Sequence, residues 1–249
     1  MSQTTDGVLL IHAFPLDARM WDELGGSLRG AGWRVTAPSL PGFGATPDAG
    51  PVMSMGAAAD RCLQSLAEAG IERPVVCGLS MGGYVAFELW RMARQRIAGL
   101  VLANTRSGAD SPEAAAGRRA LAARLRAEGN GFLVAEPPPL LAAADGEGNW
   151  PAVRTAIADQ PAEAIAAAAE GMAERPDSTQ DLGTIDVPTL VLTSRGDRLI
   201  PPDVSLEMVE HIDGADAVTI DGAGHLSNLE APVAFAEAIR GFLAGFTSV

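Results

Sequence analysis

Three residue types that together can carry out acyl transfer occur along the chain in the order serine, aspartate, histidine. Ser80 lies at the centre of "GLSMG", residues 78–82, a G-x-S-x-G pattern that follows an apolar run and precedes a run of helix formers. A nucleophile elbow requires this strand–turn–helix context, because the serine must project from a tight turn. We therefore predict that Ser80 is a nucleophile.

The base that activates this serine can be sought among only three histidines. A serine hydroxyl is a weak nucleophile at neutral pH and needs a neighbouring base. His225 follows the last predicted strand in a glycine-rich loop, at the carboxyl edge where α/β sites assemble. His12 ends the first predicted strand and is predicted to be a structural hydrogen-bonding residue, whereas His211 lies at a polar helix end, predicted to be on the surface. His225 is the predicted base.

A carboxylate must hold the base in the correct tautomer and stabilise its imidazolium form. Asp197 follows the predicted strand 187–193 in "SRGDRLIPP", at the same sheet edge as His225. Asp221 is the rival candidate, but it stands only four residues before His225. So short a separation leaves little room to orient the ring, and Asp197 is the predicted acid.

Two backbone N–H groups are candidates for binding a developing oxyanion. The Met81 N–H lies in the first turn of the helix that follows Ser80, where it gains from the helix dipole. The second donor is expected in the loop "HAFPLD" after the first strand, where Phe14 is our candidate. Pro15 has no N–H and stiffens this loop.

These residues need a framework, which the apolar pattern predicts. Short apolar runs bounded by turns are typical of buried strands, and they occur at residues 8–12, 34–38, 74–78, 97–104, 187–193 and 217–221. Helical periodicity occurs between them, at residues 18–30, 53–69, 81–92, 203–211 and 231–244. Strands that alternate with helices favour βαβ units, so we predict an α/β fold with a mostly parallel sheet and helices on both faces.

The alternation is interrupted by an alanine-rich segment without strand-like runs. We predict that residues 105–186 form an inserted helical cap, and that residues 1–104 and 187–249 form the core domain. Substrate choice would then depend on the cap and nearby loops. Residues that could line an apolar pocket, or alternatively belong to the packed interior, are Trp21, Phe43, Phe132, Leu140, Leu141, Trp150 and Met172. Arg106 is either a partner for a substrate carboxylate or a solvated surface residue.

Composition excludes several classes of partner. A formal charge of −13 and a pI near 4.6 argue against nucleic acid and against anionic membrane surfaces. The two cysteines, Cys62 and Cys77, fall in apolar positions and are predicted to be buried thiols. The polar first residues carry no secretion signal, so the expected location is the cytoplasm. With three scattered histidines, neither a metal nor an organic cofactor is expected.

Five motifs give the chain a likeness to a known family. "HAFPLD", "LPGFG", "GLSMGG", "SRGD" and "GAGHLSNLEAP", in this order, resemble the α/β-hydrolase superfamily. The chain is similar in particular to its small bacterial carboxylesterases, 3-oxoadipate enol-lactonase-like proteins and cofactor-free haloperoxidases or perhydrolases. The resemblance implies a triad of Ser80, Asp197 and His225, and an oxyanion hole formed by the N–H groups of Phe14 and Met81.

The chain departs from this family in two places. Family members usually have a β-hairpin before the first motif, whereas only seven residues precede Val8. We therefore expect a sheet of about six strands without the N-terminal hairpin. The first motif is HAFP, so that Ala13 replaces the more common glycine.

The leading hypothesis is a carboxylesterase that cleaves esters through an acyl-enzyme. Alternatives are a lactonase of the 3-oxoadipate enol-lactonase type and a cofactor-free perhydrolase or haloperoxidase. A non-enzymatic alternative is a ligand receptor that keeps a silent triad, since fold does not fix function. The expected partner is a small-molecule ester or lactone, and the pattern allows a homodimer.

Overall fold

Eight strands form two sheets. The computed structural model describes residues 3–48, 50–143 and 147–248. Within this part of the chain the strands are β1 Gln3–Thr5, β2 Gly7–Ile11, β3 Val35–Thr36, β4 Pro74–Leu79, β5 Gly99–Ala103, β6 Thr189–Ser194, β7 Asp216–Ile220 and β8 Phe246–Ser248. The main sheet has the order β3-β2-β4-β5-β6-β7, and all of its pairs are parallel. The predicted six-stranded parallel sheet is confirmed.

A short second sheet was not expected. Strands β1 and β8 pair in parallel, with Gln3 opposite Phe246. The sequence "QTT" of β1 carries no apolar run. Its place in the fold therefore depends on a pairing between distant parts of the chain, which periodicity does not reveal.

Eleven α-helices occur within the described residues. They are α1 Asp22–Gly30, α2 Met55–Glu68, α3 Met81–Ala93, α4 Pro112–Glu128, α5 Gly131–Ala135, α6 Trp150–Ala158, α7 Ala162–Ala173, α8 Thr179–Leu182, α9 Pro202–Leu206, α10 Ser227–Glu230 and α11 Pro232–Leu243. Local sequence explains several starts: Ser54 accepts a hydrogen bond from the Ala57 N–H at the start of α2, and Ser111 does the same for Ala114 at the start of α4. Such caps satisfy N–H groups that have no partner within the helix.

The core surrounds the central strands. Strands β2, β4, β5 and β6 are buried along their whole length, as a parallel sheet covered on both faces requires. Cys62 and Cys77 are free and buried within this core, as predicted, and burial raises the pKa of each thiol to about 12. Among the described residues, no helix has the length and apolar character needed to cross a membrane.

The segment predicted as a cap contains α4 to α8, and no strand occurs in the part of it that the structure describes. Helices α4 and α7 pack against each other. The division of the chain into a core and an inserted cap stays a prediction.

Candidate active site

Ser80 sits on a strained turn between β4 and α3. Its backbone has φ 57° and ψ −113°, a region that residues other than glycine rarely adopt. A Cβ at Gly78 would lie 2.2 Å from the carbonyl oxygen of Gly82, and one at Gly82 would lie 2.2 Å from that of Ile11. The glycines of "GLSMG" are therefore required by the close crossing of strand and helix, which presents the hydroxyl at the sheet edge.

The imidazole of His225 joins Ser80 to Asp197. Its Nε2 lies 2.7 Å from the Ser80 Oγ, and its Nδ1 lies 2.8 Å from the Asp197 Oδ2. All three residues are buried, with Ser80 retaining 8% of its surface exposed. The carboxylate accepts only, so Nδ1 carries the proton and Nε2 is free to accept from the serine hydroxyl. The three side chains that the sequence singled out are thus in one hydrogen-bonded chain.

Asp197 is held as an anion by four donors. Its Oδ1 accepts from the N–H groups of Leu199 and Ile200, each at 2.9 Å, while Oδ2 is shared by His225 and the amide of Asn104. Burial acts to raise the pKa of this carboxyl, but the hydrogen bonds and the charge of His225 outweigh it and hold the pKa below its ordinary value. Asp197 therefore stays ionised at neutral pH.

The two predicted oxyanion donors lie after neighbouring strands, β2 and β4. Met81 opens α3, where the first N–H groups have no partner within the helix. Phe14 follows β2, and β2 pairs directly with β4, with Ile11 opposite Gly78. This register brings the loop containing Phe14 to the edge on which Ser80 lies. The donor roles of Phe14 and Met81 stay a prediction.

The rejected candidates lie in other surroundings. His12 is fully buried, and its Nε2 accepts from the Leu40 N–H at 2.9 Å, so its Nδ1 donates to the Ala13 carbonyl. Burial lowers the pKa of His12 to about 4. His211 is exposed. Asp221 pairs with Arg195 on the surface and makes no hydrogen bond to His225 among the described residues.

Two of the residues predicted to bind substrate belong to the packed interior. Trp21 is 1% exposed and its ring packs on Phe235, while Phe43 is fully buried with its ring 5.2 Å from that of His12. Their packing against protein side chains favours the alternative that they belong to the packed interior, and their contact with substrate stays a prediction. The sequence could not separate the two cases, because core and pocket select the same large apolar residues.

The remaining predicted substrate residues divide by location. Phe132 faces a cavity of about 430 Å³ that also has Phe14 and Pro15 in its wall. Leu140 is buried, and its carbonyl accepts from the N–H of Leu226, next to His225. Trp150 lies on a second cavity of about 540 Å³, and its Nε1 donates to the Ala143 carbonyl at 3.0 Å.

Arg106 is engaged in an ion pair. Its guanidinium donates to the buried Asp110, which Arg118 and Arg175 also contact. Arg106 is therefore not a free cation, although three guanidinium groups share the one carboxylate of Asp110, and its contact with a substrate carboxylate stays a prediction.

Sequence reasoning missed Asn104, whose side chain contacts the acid. The signal was present, because Asn104 ends an apolar run at the same sheet edge as Asp197. Within the described residues, no group of three or more His, Cys, Asp or Glu side chains is placed to hold a metal ion.

Comparisons with known proteins concern the family and the fold of the chain. Residues 8–238 match the model of the alpha/beta hydrolase family. The chain is 30% identical over 256 residues to a pimeloyl-[acyl-carrier protein] methyl ester esterase of Neisseria meningitidis serogroup C, covering 98% of this chain and 96% of the relative. It is 30% identical over 177 residues to 3-oxoadipate enol-lactonase 1 of Acinetobacter baylyi, covering 70% of this chain and 65% of the relative.

Solved structures give the same picture. A thermophilic esterase from Thermogutta terrifontis, solved with malate bound, is 41% identical with a TM-score of 0.90, covering 99% of this chain and 92% of that one. The enol-lactonase from Burkholderia xenovorans LB400 is 27% identical with a TM-score of 0.85, covering 97% of this chain and 92% of that one.

Proposed function

Since the chain belongs to the alpha/beta hydrolase family, we propose that it hydrolyses carboxylic esters, with Ser80 as nucleophile, His225 as general base and Asp197 as the acid that orients it. The observation that carries the proposal is the unbroken hydrogen-bonded chain from the Ser80 Oγ through both ring nitrogens of His225 to Asp197. A strained serine, a buried imidazole and an ionised carboxylate in this arrangement are the side chains that acyl transfer by a triad requires.

In the first step the Ser80 Oγ attacks the carbonyl carbon of the ester while His225 Nε2 accepts the hydroxyl proton. The negative charge moves to the carbonyl oxygen, where the N–H groups of Phe14 and Met81 stabilise it. The intermediate collapses, the bond to the alcohol oxygen breaks, and His225 returns the proton to the leaving alcohol. Ser80 then carries the acyl group as an ester.

In the second step water replaces the alcohol. His225 accepts a proton from the water as its oxygen attacks the acyl carbon, and the same donors stabilise the second oxyanion. Collapse breaks the bond to Ser80, whose oxygen recovers the proton from His225 as the free carboxylic acid leaves. The Asp197 carboxylate stabilises the imidazolium in both steps without itself taking the proton.

The cavity beside the oxyanion loop supports an apolar arm on the substrate. Its wall combines Phe14 and Pro15 from that loop with residues of the segment proposed as the cap, which are the apolar Leu121, Phe132 and Leu133 and the exposed, charged Arg124 and Glu136, among others. A substrate whose carbonyl oxygen lies against the Phe14 N–H would place one arm next to these side chains. We infer that the segment 105–186 acts as a cap that selects this arm.

A lactonase is the second candidate, favoured by the likeness to enol-lactonases. A lactone is an internal ester, so the same two steps apply and the leaving alcohol stays attached to the acyl group. The proposed triad does not discriminate between the two substrates. The shape of the cavity next to Phe132 would decide.

The proposal is tested by a panel of p-nitrophenyl esters of increasing acyl length, run beside enol-lactones. We expect turnover of esters, and Ser80→Ala to lower kcat by about 10⁴-fold or more. A fluorophosphonate probe should label the wild-type protein at the peptide containing Ser80. Ser54→Ala, which removes the hydroxyl that caps α2, is the matched control and should keep both turnover and labelling. Turnover that survives Ser80→Ala would rule the proposal out, and activity confined to lactones would select the second candidate.

A further inference from the structure

Asn104 occupies an unusual position at the end of β5. It is fully buried, and its backbone has φ 44°, the left-handed region in which asparagine is enriched among residues other than glycine. Its N–H donates to the carbonyl of Leu192 on the neighbouring strand β6 at 2.7 Å. The backbone thereby turns the side chain away from the strand direction and toward the ends of β6 and β7.

The amide of Asn104 contacts both loops that carry the proposed acid and base. Its Nδ2 donates to the Ser194 Oγ at 2.8 Å and to the Asp197 Oδ2 at 3.0 Å. Ser194 is the last residue of β6, and Asp197 lies in the loop that follows it. Its Oδ1 accepts from the Ser227 hydroxyl at 2.6 Å, two residues beyond His225. Ser194 in turn donates to the carbonyl of Gly224. One side chain therefore links the loops on either side of the Asp197–His225 contact.

The orientation of this amide is determined by its partners. The ionised Asp197 can only accept, so the NH₂ group must face it, and the carbonyl oxygen must face the Ser227 hydroxyl. A flipped amide would place two oxygens against each other at 3.0 Å. Asp197 therefore sets the orientation of the amide, and the Ser227 hydroxyl, which can donate or accept, donates to the Asn104 Oδ1 and holds the side chain in place.

We propose that Asn104 is a positioning residue for the reaction, which binds the same Asp197 oxygen as His225 and aligns the carboxylate with the ring. The inference rests on the proposed function. A neutral donor is suited to this task, because it orients the carboxylate and satisfies it in a buried site without adding charge. A carboxylate at position 104 would face the carboxylate of Asp197. Two negative charges at this distance increase the affinity for protons of both carboxylates and of the imidazole next to them.

The test is Asn104→Asp, which keeps the size and the acceptor for Ser227 but replaces the donor. With three histidines in the chain, ¹H–¹³C NMR of ring-labelled protein follows each imidazole separately, and His225→Ala assigns the signal. We expect the pKa of His225 to rise by about one unit or more, and the acid limb of the kcat/KM profile to move to higher pH with it. A change of fold stability alone would not move either midpoint.

Asn130→Asp is the matched control. Asn130 lies outside the site, with its Nδ2 donating to the carbonyls of Ile157 and Gln160 in the cap segment. This variant should leave the His225 midpoint in place. An Asn104→Asp protein whose His225 titrates at the wild-type pH overturns the inference, as does an equal shift in the control.

Ser227→Ala provides a milder second variant should Asn104→Asp fail to fold. Loss of the hydrogen bond from Ser227 to Asn104 should lower kcat about fivefold with KM unchanged, the size expected for one hydrogen bond. Ser111→Ala, which removes a cap on α4, should not change kcat. Wild-type kcat in Ser227→Ala would count against the inference. The NMR titration does not require turnover. An inactive wild-type protein would therefore rule out the proposed function, while the titration would still test the role of Asn104 separately.

Discussion

Two of the buried carboxylates lie in different regions of this molecule, and their partners differ. Asp197, at the sheet edge, is bound by one imidazole, one amide and two backbone N–H groups. Asp110, next to α4, lies among three guanidinium groups, those of Arg106, Arg118 and Arg175. The side chains are 0% and 1% exposed, so burial does not distinguish them. In both cases burial acts to raise the pKa, and the partners outweigh it and lower the pKa.

The difference lies in whether the partner can change its charge. Arginine is charged at every accessible pH, so the negative charge of Asp110 is permanently compensated, and the cluster acts as an anchor. Arg175 of this cluster also lies 4.0 Å from the ring centroid of Tyr84, on α3, which ties the anchor to the helix that follows Ser80. Asp197 instead faces the imidazole of His225, a side chain that can be neutral or charged. Equal burial therefore supports an anchor in one region and proposed chemistry in the other.

The largest expected effect comes from Asp197→Asn. An amide can donate to the ring as well as accept, so the variant favours the wrong tautomer of His225, and kcat for a p-nitrophenyl ester should fall about 10⁴-fold. The melting temperature should stay close to that of wild type, since the side chain keeps its shape and its oxygen can still accept from the two backbone N–H groups. Activity within tenfold of wild type would remove Asp197 from the proposed triad.

The position of each residue relative to a strand explains what the sequence could predict at the site. Ser80, Asp197 and His225 each follow a predicted strand, and parallel strands place their carboxyl ends at one edge. Their meeting therefore follows from the strand pattern together with a short motif. Asn104 also ends such a strand, but asparagine after a strand is common in turns. Only the coordinates pair it with a carboxylate 93 residues away.

The sequence did not show whether protein or ligand covers the large apolar residues. Trp21 and Phe43 lie near the predicted motifs, yet their rings pack on Phe235 and His12. Hydrophobicity determines that such a side chain leaves water, and it does not determine whether protein or ligand covers it. In the same way, the acidic partner of Arg106 is four residues away, but its burial depends on arginines far along the chain.

Asp110→Asn tests the anchor and should chiefly affect stability. Removal of the charge leaves three guanidinium groups together in a partly buried place, for which a loss of about 3–5 kcal/mol in the free energy of unfolding is expected. Urea unfolding at pH 7 measures this loss. Ester turnover per folded molecule should stay within about threefold of wild type at 25 °C. A loss of turnover as large as that of Asp197→Asn would mean that the two regions do not separate anchoring from chemistry.

A buried group that stays neutral extends the comparison to pH. The folded pKa of His12 is about 4, below the value of about 6.5 expected in an unfolded chain. As the pH falls below 6.5, the unfolded chain takes up a proton that the folded protein does not, so the folded state loses stability. We expect a loss of about 2 kcal/mol between pH 7 and pH 5 from this residue. The pKa values of Asp197 and Asp110 are lowered in the folded protein, so their contributions to its stability are lost only below about pH 4.

Urea unfolding at several pH values between 7 and 5 measures the His12 contribution. His12→Gln offers an oxygen for the Leu40 N–H and no titrating group, so its stability should depend less on pH by this amount. Because His211 and His225 are common to both proteins, the difference isolates His12. Parallel stability profiles for wild type and His12→Gln would contradict the low pKa.

The smallest expected effect comes from Arg106→Met, at the edge of the anchor. The Arg106 side chain is 30% exposed, so its pair with Asp110 should contribute only about 0.5–1 kcal/mol to the free energy of unfolding. Because its guanidinium is held by Asp110, we expect that it does not select anionic substrates. The ratio of KM values for a carboxylate-bearing ester and its neutral analogue should therefore stay within about twofold of wild type. Arg118→Met, which removes another partner of Asp110, is the matched control. A tenfold rise of the ratio in Arg106→Met alone would show that Arg106 contacts the substrate, and that the anchor reaches into the site.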